Sequence, residues 1–393
     1  MVAVGSQGTC DPRFAPLRAA FESNFRELRE IGAAVAVYVG GQKVVDLWGG
    51  LRDRSGPAPG WTHDTLVNVY SSTKGLAALC VQQLIERGAL DPEAPVARYW
   101  PEFAHASKAE LRLDTLLSHR GGLAAITRRL PHQALYNQEL MASALAEQAP
   151  HWAPGTQHGY HAQTFGFLLA EIVRRVTGQS LGQYLREQIA GPLAAEAYIG
   201  LPEPLDERVA KVTRQLGEQP PADEVDLLAV WKREPDSLTA LAFNNPAPQP
   251  GAVNTRTYRG AELPSSNGHA SALGLARIYA AASGSPPREL PGAHKVFGPG
   301  CPARSAQEHA FGDDLVLRVR TRFGPGFMLS QEQGSGSFGP NPRSFGHPGM
   351  GGSFGFADPD AGVGFGYVMN RAGAGILIDE RPRRLIDALY ACI

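Results

Sequence analysis

The sequence predicts an α/β protein of the α+β kind: an antiparallel β-sheet flanked by terminal helices, with a mostly helical domain inserted between its halves. Three observations lead there. β-type runs sit at both ends of the 393-residue chain, while helical periods fill the middle. A two-stranded hairpin is marginal in water by itself, so the N-terminal one must pair with the C-terminal strands. The chain is also too long for one small core. The expected division is residues 1–70 plus 305–393 for the split sheet domain and 71–304 for the helical one, with a site at their junction.

The elements follow in order. Residues 11–31 place Phe14, Leu17, Phe21, Phe25 and Leu28 on one helical face, with Asp11 as cap and Pro12 in the first turn. The run Ala33–Val39, the turn Gly40-Gly41-Gln42 and the run from Lys43 to Trp48 form a hairpin signal. Helical periods broken by Pro/Gly-rich loops extend over roughly 71–290, and long surface loops are expected near 243–260 and 284–304. Strands are expected over Asp314 to Arg320, Gly326 to Ser330, Ser353 to Ala357 and Val363 to Asn370. An amphipathic helix with Leu385, Ile386 and Leu389 closes the chain.

Composition excludes several function classes. A hydrophobic content of 43% with 19% charged residues is that of an ordinary globular protein. A net charge of −1 leaves no electrostatic footprint for nucleic acid and no polybasic patch for a membrane. The four cysteines, Cys10, Cys80, Cys301 and Cys392, are scattered, which speaks against a disulfide framework or a zinc knuckle. The first eight residues have no basic n-region and no apolar h-region, and no apolar run reaches membrane-span length, so a cytoplasmic location is expected.

The chemistry concentrates in three places. Val67 to Leu79 reads as a short extended run entering a helix, with Ser71 at the helix start and Lys74 three residues on, on the same face. A desolvated lysine beside a serine can take its proton. The spacing alone is weak, since about 0.4 chance matches are expected in such a chain. Lysine is scarce here, however, at six of 37 basic residues, and arginine cannot exchange a proton near neutrality. Secondly, Tyr160 lies in Pro154 to Ala162, at a loop-to-helix junction. It could shuttle the serine proton if lysines or a helix end lowered its pKa.

Thirdly, Phe345 to Phe356 is a glycine-rich strand edge. There a backbone N–H around Gly349, Met350 or Gly351 could join the Ser71 N–H in stabilising an oxyanion, and His347 could contact an ester or a substrate carboxylate. Ser353 within Gly351-Gly-Ser-Phe-Gly355 matches a G-x-S-x-G nucleophile elbow formally, but its flanks read strand to strand, not strand to helix. His158 and His161 have no third ligand at suitable spacing, so no metal and no cofactor is expected.

Together these segments resemble the serine β-lactamase and penicillin-binding-like superfamily, and more closely its class C β-lactamase-like esterases, the family VIII carboxylesterases. The resemblance spans nearly the whole chain: the N-terminal hairpin, Ser71-Ser-Thr-Lys74-Gly, Leu116-Leu-Ser-His119-Arg-Gly-Gly-Leu123, Tyr160-His-Ala162, Pro264-Ser-Ser-Asn-Gly-His269, His347-Pro-Gly and Tyr367-Val-Met-Asn370. It implies Ser71 as the acylated nucleophile, Lys74 and Tyr160 as its proton-handling partners, and Met350 as the second oxyanion donor with one residue of register open. Two departures stand out. Ala162 replaces the asparagine usual in the second motif, removing an amide that would hold a β-lactam side chain. His347 replaces the lysine of the third, turning a fixed positive charge into a titratable one. The implied activity is hydrolysis of a small ester or amide through an acyl-enzyme. The alternative is a transacylase passing the acyl group to an amine or alcohol. A β-lactamase or D,D-peptidase, or an inactive binding homologue, fits less well.

Overall fold

The computed structural model describes residues 5–54, 59–214 and 218–393. Met1 to Val4, part of the segment read for a leader, lie outside the described residues. A nine-stranded sheet runs, in spatial order, Gln7–Cys10, Gln42–Gly50, Gly32–Val39, Val363–Met369, Phe354–Asp358, Phe345–Pro348, Phe327–Leu329, Arg320–Gly324 and Ala310–Asp313. All of its pairings are antiparallel. The two chain ends meet where Gly32–Val39 pairs with Val363–Met369, Val35 opposite Tyr367.

Both faces of that central pair are covered, so its strands are buried on each side and read as continuous apolar runs. One face carries the terminal helices Ala15–Glu27 and Glu380–Tyr390. Leu17, Phe21, Leu385 and Leu389 pack there on Val35, Val37, Phe356 and Phe365, all almost solvent-free. Each such side chain contributes roughly 1.5–3 kcal/mol by leaving water. The opposite face receives helix Ala272–Ala282. It lies very close because Gly366 opposes it: a Cβ there would come within 2.3 Å of the Ala272 carbonyl oxygen.

Several elements differ from expectation. The first helix is shorter, since Asp11 caps a 3₁₀ turn, Pro12–Phe14, through Arg13 N–H, and the α-helix begins at Ala15. The run Asp314 to Arg320 is not a strand. It is the turn between the edge strands Ala310–Asp313 and Arg320–Gly324, wound around the Asp314 carboxylate, which accepts from Val316 N–H and Leu317 N–H. The stretches expected as plain loops contain short helices, Arg256–Gly260 and Gly300–Ser305. A small second sheet, Val67–Asn68, His269–Ala270 and Ala197–Tyr198, escaped the sequence because two-residue strands show no period. Among the described residues, no helix is long and apolar enough to cross a membrane.

Candidate active site

Ser71 stands at the N-terminus of helix Ser72–Glu86, whose residues from Ser72 to Ile85 are all buried. This helix runs through the core of the molecule, and its buried polar side chains, such as Gln82 and Gln83, are satisfied by backbone carbonyls. The turn into it is strained: Tyr70 has φ +44°, a left-handed conformation that non-glycine residues adopt at a cost. Neighbouring strands hold the turn in place. Val69 N–H donates to the Gly268 carbonyl at 2.8 Å, and Gly268 N–H donates to Thr73 Oγ1 at 2.8 Å. The Pro264 to His269 segment is thereby clamped beside Ser71. The Ser71 hydroxyl makes no capping bond to its own helix, so its oxygen remains available.

Lys74 Nζ lies 3.2 Å from Ser71 Oγ and donates to the Ser265 carbonyl at 3.0 Å. The side chain is fully buried, and burial pushes its pKa well below the usual lysine value. Among the described residues no carboxylate pairs with it, and Nζ stands 4.7 Å from the centre of the Tyr160 ring. Burial thus favours the neutral amine over the ammonium, and the neutral form has a lone pair able to accept the Ser71 proton.

Tyr160 is also fully buried, with its phenol beside the Ser71 side chain. Burial raises its pKa above the ordinary value, which the Ser71 contact only partly opposes. The lowered phenol pKa considered from sequence does not arise, because burial dominates and the nearby Asp314 carboxylate adds to the rise. Tyr160 is a phenol that can relay a proton. It is placed by residues the sequence reading did not identify. Its own N–H donates to buried Asp314 at 3.0 Å, the Gly159 N–H donates to the His119 carbonyl at 3.2 Å, and the His161 N–H donates to His119 Nδ1 at 3.1 Å. His119 belongs to the Leu116 to Leu123 segment, so the signal was present as a motif without a role.

The opposite wall is the strand Phe345–Pro348 and the loop after it. Of the three N–H groups considered from sequence, two are already used: Gly349 N–H donates to the Ser353 carbonyl at 2.7 Å and Gly351 N–H to the Gly375 carbonyl at 3.0 Å. Gly349 and Gly351 are thus corrected to framework positions. Neither Met350 N–H nor Ser71 N–H has a partner among the described residues. His347 also departs from expectation. Its Nδ1 bonds the Pro348 carbonyl at 2.8 Å, which makes Nδ1 the protonated nitrogen and leaves buried Nε2 an unpartnered acceptor. Burial pushes its pKa down to about 3, so the imidazole is neutral and not a switchable cation at neutral pH.

The remaining candidates are structural. Ser353 is solvent-free, donates to the Val69 carbonyl at 2.8 Å and precedes a strand. His158 pairs with Thr321 Oγ1 at 2.9 Å, and His161 is held by Leu123 N–H and the Gly159 carbonyl. No group of three or more metal-ligating side chains occurs among the described residues. Two short helices, Leu227–Arg233 and Leu238–Asn244, roof the site through Trp231 and Phe243, the latter 6.3 Å from the Tyr160 ring. A hollow of about 30 Å³ between Trp231 and Met350 lies at its edge. The larger surface depressions, about 970 and 1260 Å³, lie elsewhere and are not lined by Ser71.

A half-buried serine at a helix start, a buried amine 3.2 Å from its oxygen and a glycine-rich wall on this sheet belong to the serine hydrolases. The β-lactamase family model matches residues 21–389, and the chain belongs to that family. It is 34% identical over 373 residues to the esterase/β-lactamase LipL of Mycobacterium tuberculosis, covering 93% of this chain and 82% of LipL. Among solved structures it is similar to a family VIII carboxylesterase, 39% identical with a TM-score of 0.87, covering 99% of this chain and 100% of the other. It is also similar to a penicillin-binding protein homologue from Caulobacter crescentus, 37% identical with a TM-score of 0.88 at the same coverage.

Proposed function

We propose that the protein is a serine carboxylesterase working through an acyl-Ser71 intermediate. The observation that carries this reading is the fully buried Lys74 amine, 3.2 Å from Ser71 Oγ and, among the described residues, with no carboxylate paired to it. In acylation, neutral Lys74 takes the Ser71 proton as Oγ attacks the ester carbonyl. The N–H groups of Ser71 and Met350 receive the developing oxyanion. Tyr160 passes a proton to the departing alkoxide and is reprotonated from Lys74. Water then attacks the acyl-enzyme with the same groups in reverse roles. The kinship with LipL and the family VIII carboxylesterase supports ester hydrolysis over the other readings.

The test is intact mass spectrometry after mixing with p-nitrophenyl butyrate and quenching in acid. An adduct of one butyryl group on the Ser71 peptide is expected; an adduct elsewhere, or turnover with no adduct under burst conditions, refutes the assignment. Adding an alcohol to the same reaction measures the share of acyl groups passed to acceptors other than water, the transacylase alternative.

Two further results are expected. Tyr160→Phe removes the phenolic proton without emptying the cavity, and kcat should fall by about 10²-fold with little change in thermal stability. Unaltered turnover would mean that Lys74 protonates the leaving group directly. The second concerns substrate charge. Neutral Lys74 and neutral His347 leave the inner site without a cation, so a carboxylate next to the scissile carbonyl would be desolvated unpaired. p-Nitrophenyl hemisuccinate should be cleaved at least about 10-fold less efficiently than the butyrate, and His347→Lys should narrow that gap. Equal kcat/KM for the two esters in the unmodified protein would contradict the uncharged site.

A further inference from the structure

The loop bearing Met350 rests on a buried charged cluster that takes no direct part in the ester chemistry. Its hub is Arg381, 2% exposed, in the first turn of helix Glu380–Tyr390. Each of its five N–H donors is engaged. Nε donates to Asp379 Oδ1 at 2.7 Å, and Nη1 donates to Glu30 Oε1 at 3.1 Å and to the Arg371 carbonyl at 2.7 Å. Nη2 donates to Asp379 Oδ2 at 3.1 Å and to the Gly351 carbonyl at 2.7 Å. Glu30, likewise solvent-free at its side chain, accepts the Tyr367 hydroxyl on its other oxygen.

The Gly351 contact links this cluster to the site. Gly351 follows Met350 directly. Its carbonyl receives Gly373 N–H at 2.9 Å in addition to Arg381, while its N–H donates to Gly375. The backbone here has φ +82° at Gly351 and +126° at Gly352, and a Cβ on Gly352 would stand 2.9 Å from Arg381 Nη2. The guanidinium therefore approaches the loop at a place that only glycine permits. A buried ion pair adds little net stability compared with apolar residues of the same volume, so stability alone does not account for the arrangement.

We infer that Arg381 is a positioning residue for the reaction: by holding the Gly351 carbonyl, it fixes the direction in which Met350 N–H meets the oxyanion. The inference rests on the acyl-Ser71 reading, in which Met350 is an oxyanion donor. Such a donor helps only when it is already aimed at the place where charge develops. Arg381 thereby ties the C-terminal helix and, through Glu30, the N-terminal segment to the rate of the chemical step.

Two variants test this. Arg381→Lys keeps a positive charge beside Glu30 but loses the planar fork that serves both carboxylates and two carbonyls together. The double variant Glu30→Gln, Arg381→Gln removes the two fully buried charges together and leaves only the partly exposed Asp379 carboxylate, which still accepts the N–H of residue 381. Both are compared with the unmodified protein by near-ultraviolet circular dichroism, by steady-state cleavage of p-nitrophenyl butyrate, and by inhibition with phenylboronic acid, which adds to the serine as a tetrahedral anion. With the native spectrum retained, kcat should fall about 10–100-fold, KM should stay within about twofold, and boronate affinity should weaken in step with kcat. A folded variant with kcat within twofold of the unmodified protein overturns the inference. So does a fall in kcat with boronate affinity unchanged, the pattern of a merely structural role. If the unmodified protein cleaves no ester, the esterase reading fails instead. Boronate affinity and the rate of Ser71 labelling by a fluorophosphonate then still report on the loop.

Discussion

Replacing Ser71 with alanine is expected to lower ester cleavage by about 10⁶-fold, the size of loss seen when the nucleophile of a serine enzyme is removed. The substitution deletes one oxygen that neither caps its helix nor supports the fold, so thermal stability should stay within about 0.5 kcal/mol of the unmodified protein. Ser353→Ala makes the matching control. That hydroxyl donates to the Val69 carbonyl from a solvent-free position, two residues before the nucleophile, and its loss should cost about 1 kcal/mol of stability. Most of the cleavage activity should survive, because Ser353 is solvent-free and its hydroxyl is spent on the Val69 carbonyl. Measured together on p-nitrophenyl butyrate and by thermal unfolding, the pair separates two serines that sequence pattern alone presents as rival nucleophiles. Loss of activity in Ser353→Ala with retention in Ser71→Ala would reverse the assignment.

The sequence was most informative where local pattern suffices. Ser71 and Lys74 share a helical face by spacing, and the N-terminal hairpin had to find partners at the far end of the chain. It does so by pairing Gly32–Val39 with Val363–Met369. Pattern failed where distant groups decide the local shape. Leu315, Leu317 and Val319 alternate like a strand, yet that segment turns about Asp314, whose carboxylate also holds Tyr160 N–H across 154 residues. Nothing in the letters around Asp314 announces this. Arg381 looks like one of five charges on an amphipathic helix, and only the fold shows it reaching Gly351. The charge on His347 was open for a similar reason. A histidine's protonation depends on what surrounds it, and here burial and the Pro348 carbonyl settle it as a neutral acceptor.

Lys74→Met should reduce kcat/KM by roughly 10³–10⁴-fold, the upper part of the range for a lost general base, while leaving the protein at least as stable. Methionine matches the lysine chain in length and volume, and its thioether suits a pocket where an amine is costly. The stability argument follows from protonation. The folded-state pKa of Lys74 lies well below its ordinary value, so below that ordinary value the unfolded chain holds the lysine proton more readily than the folded one. Folding is penalised there, and the penalty fades as pH rises toward the ordinary lysine value. The variant, having no such group, should unfold at an equal or higher temperature at pH 7, with the difference shrinking by pH 10. Activity should show the complementary signature. In the unmodified protein, kcat/KM falls as pH drops through the depressed Lys74 pKa, because the ammonium has no lone pair for the Ser71 proton. His347 cannot supply that limb, since it titrates only near pH 3. In the variant the limb disappears, and residual cleavage climbs with hydroxide concentration. If Lys74→Met kept the limb and most of the activity, the proton acceptor would have to be Tyr160, despite a burial that holds its phenol protonated.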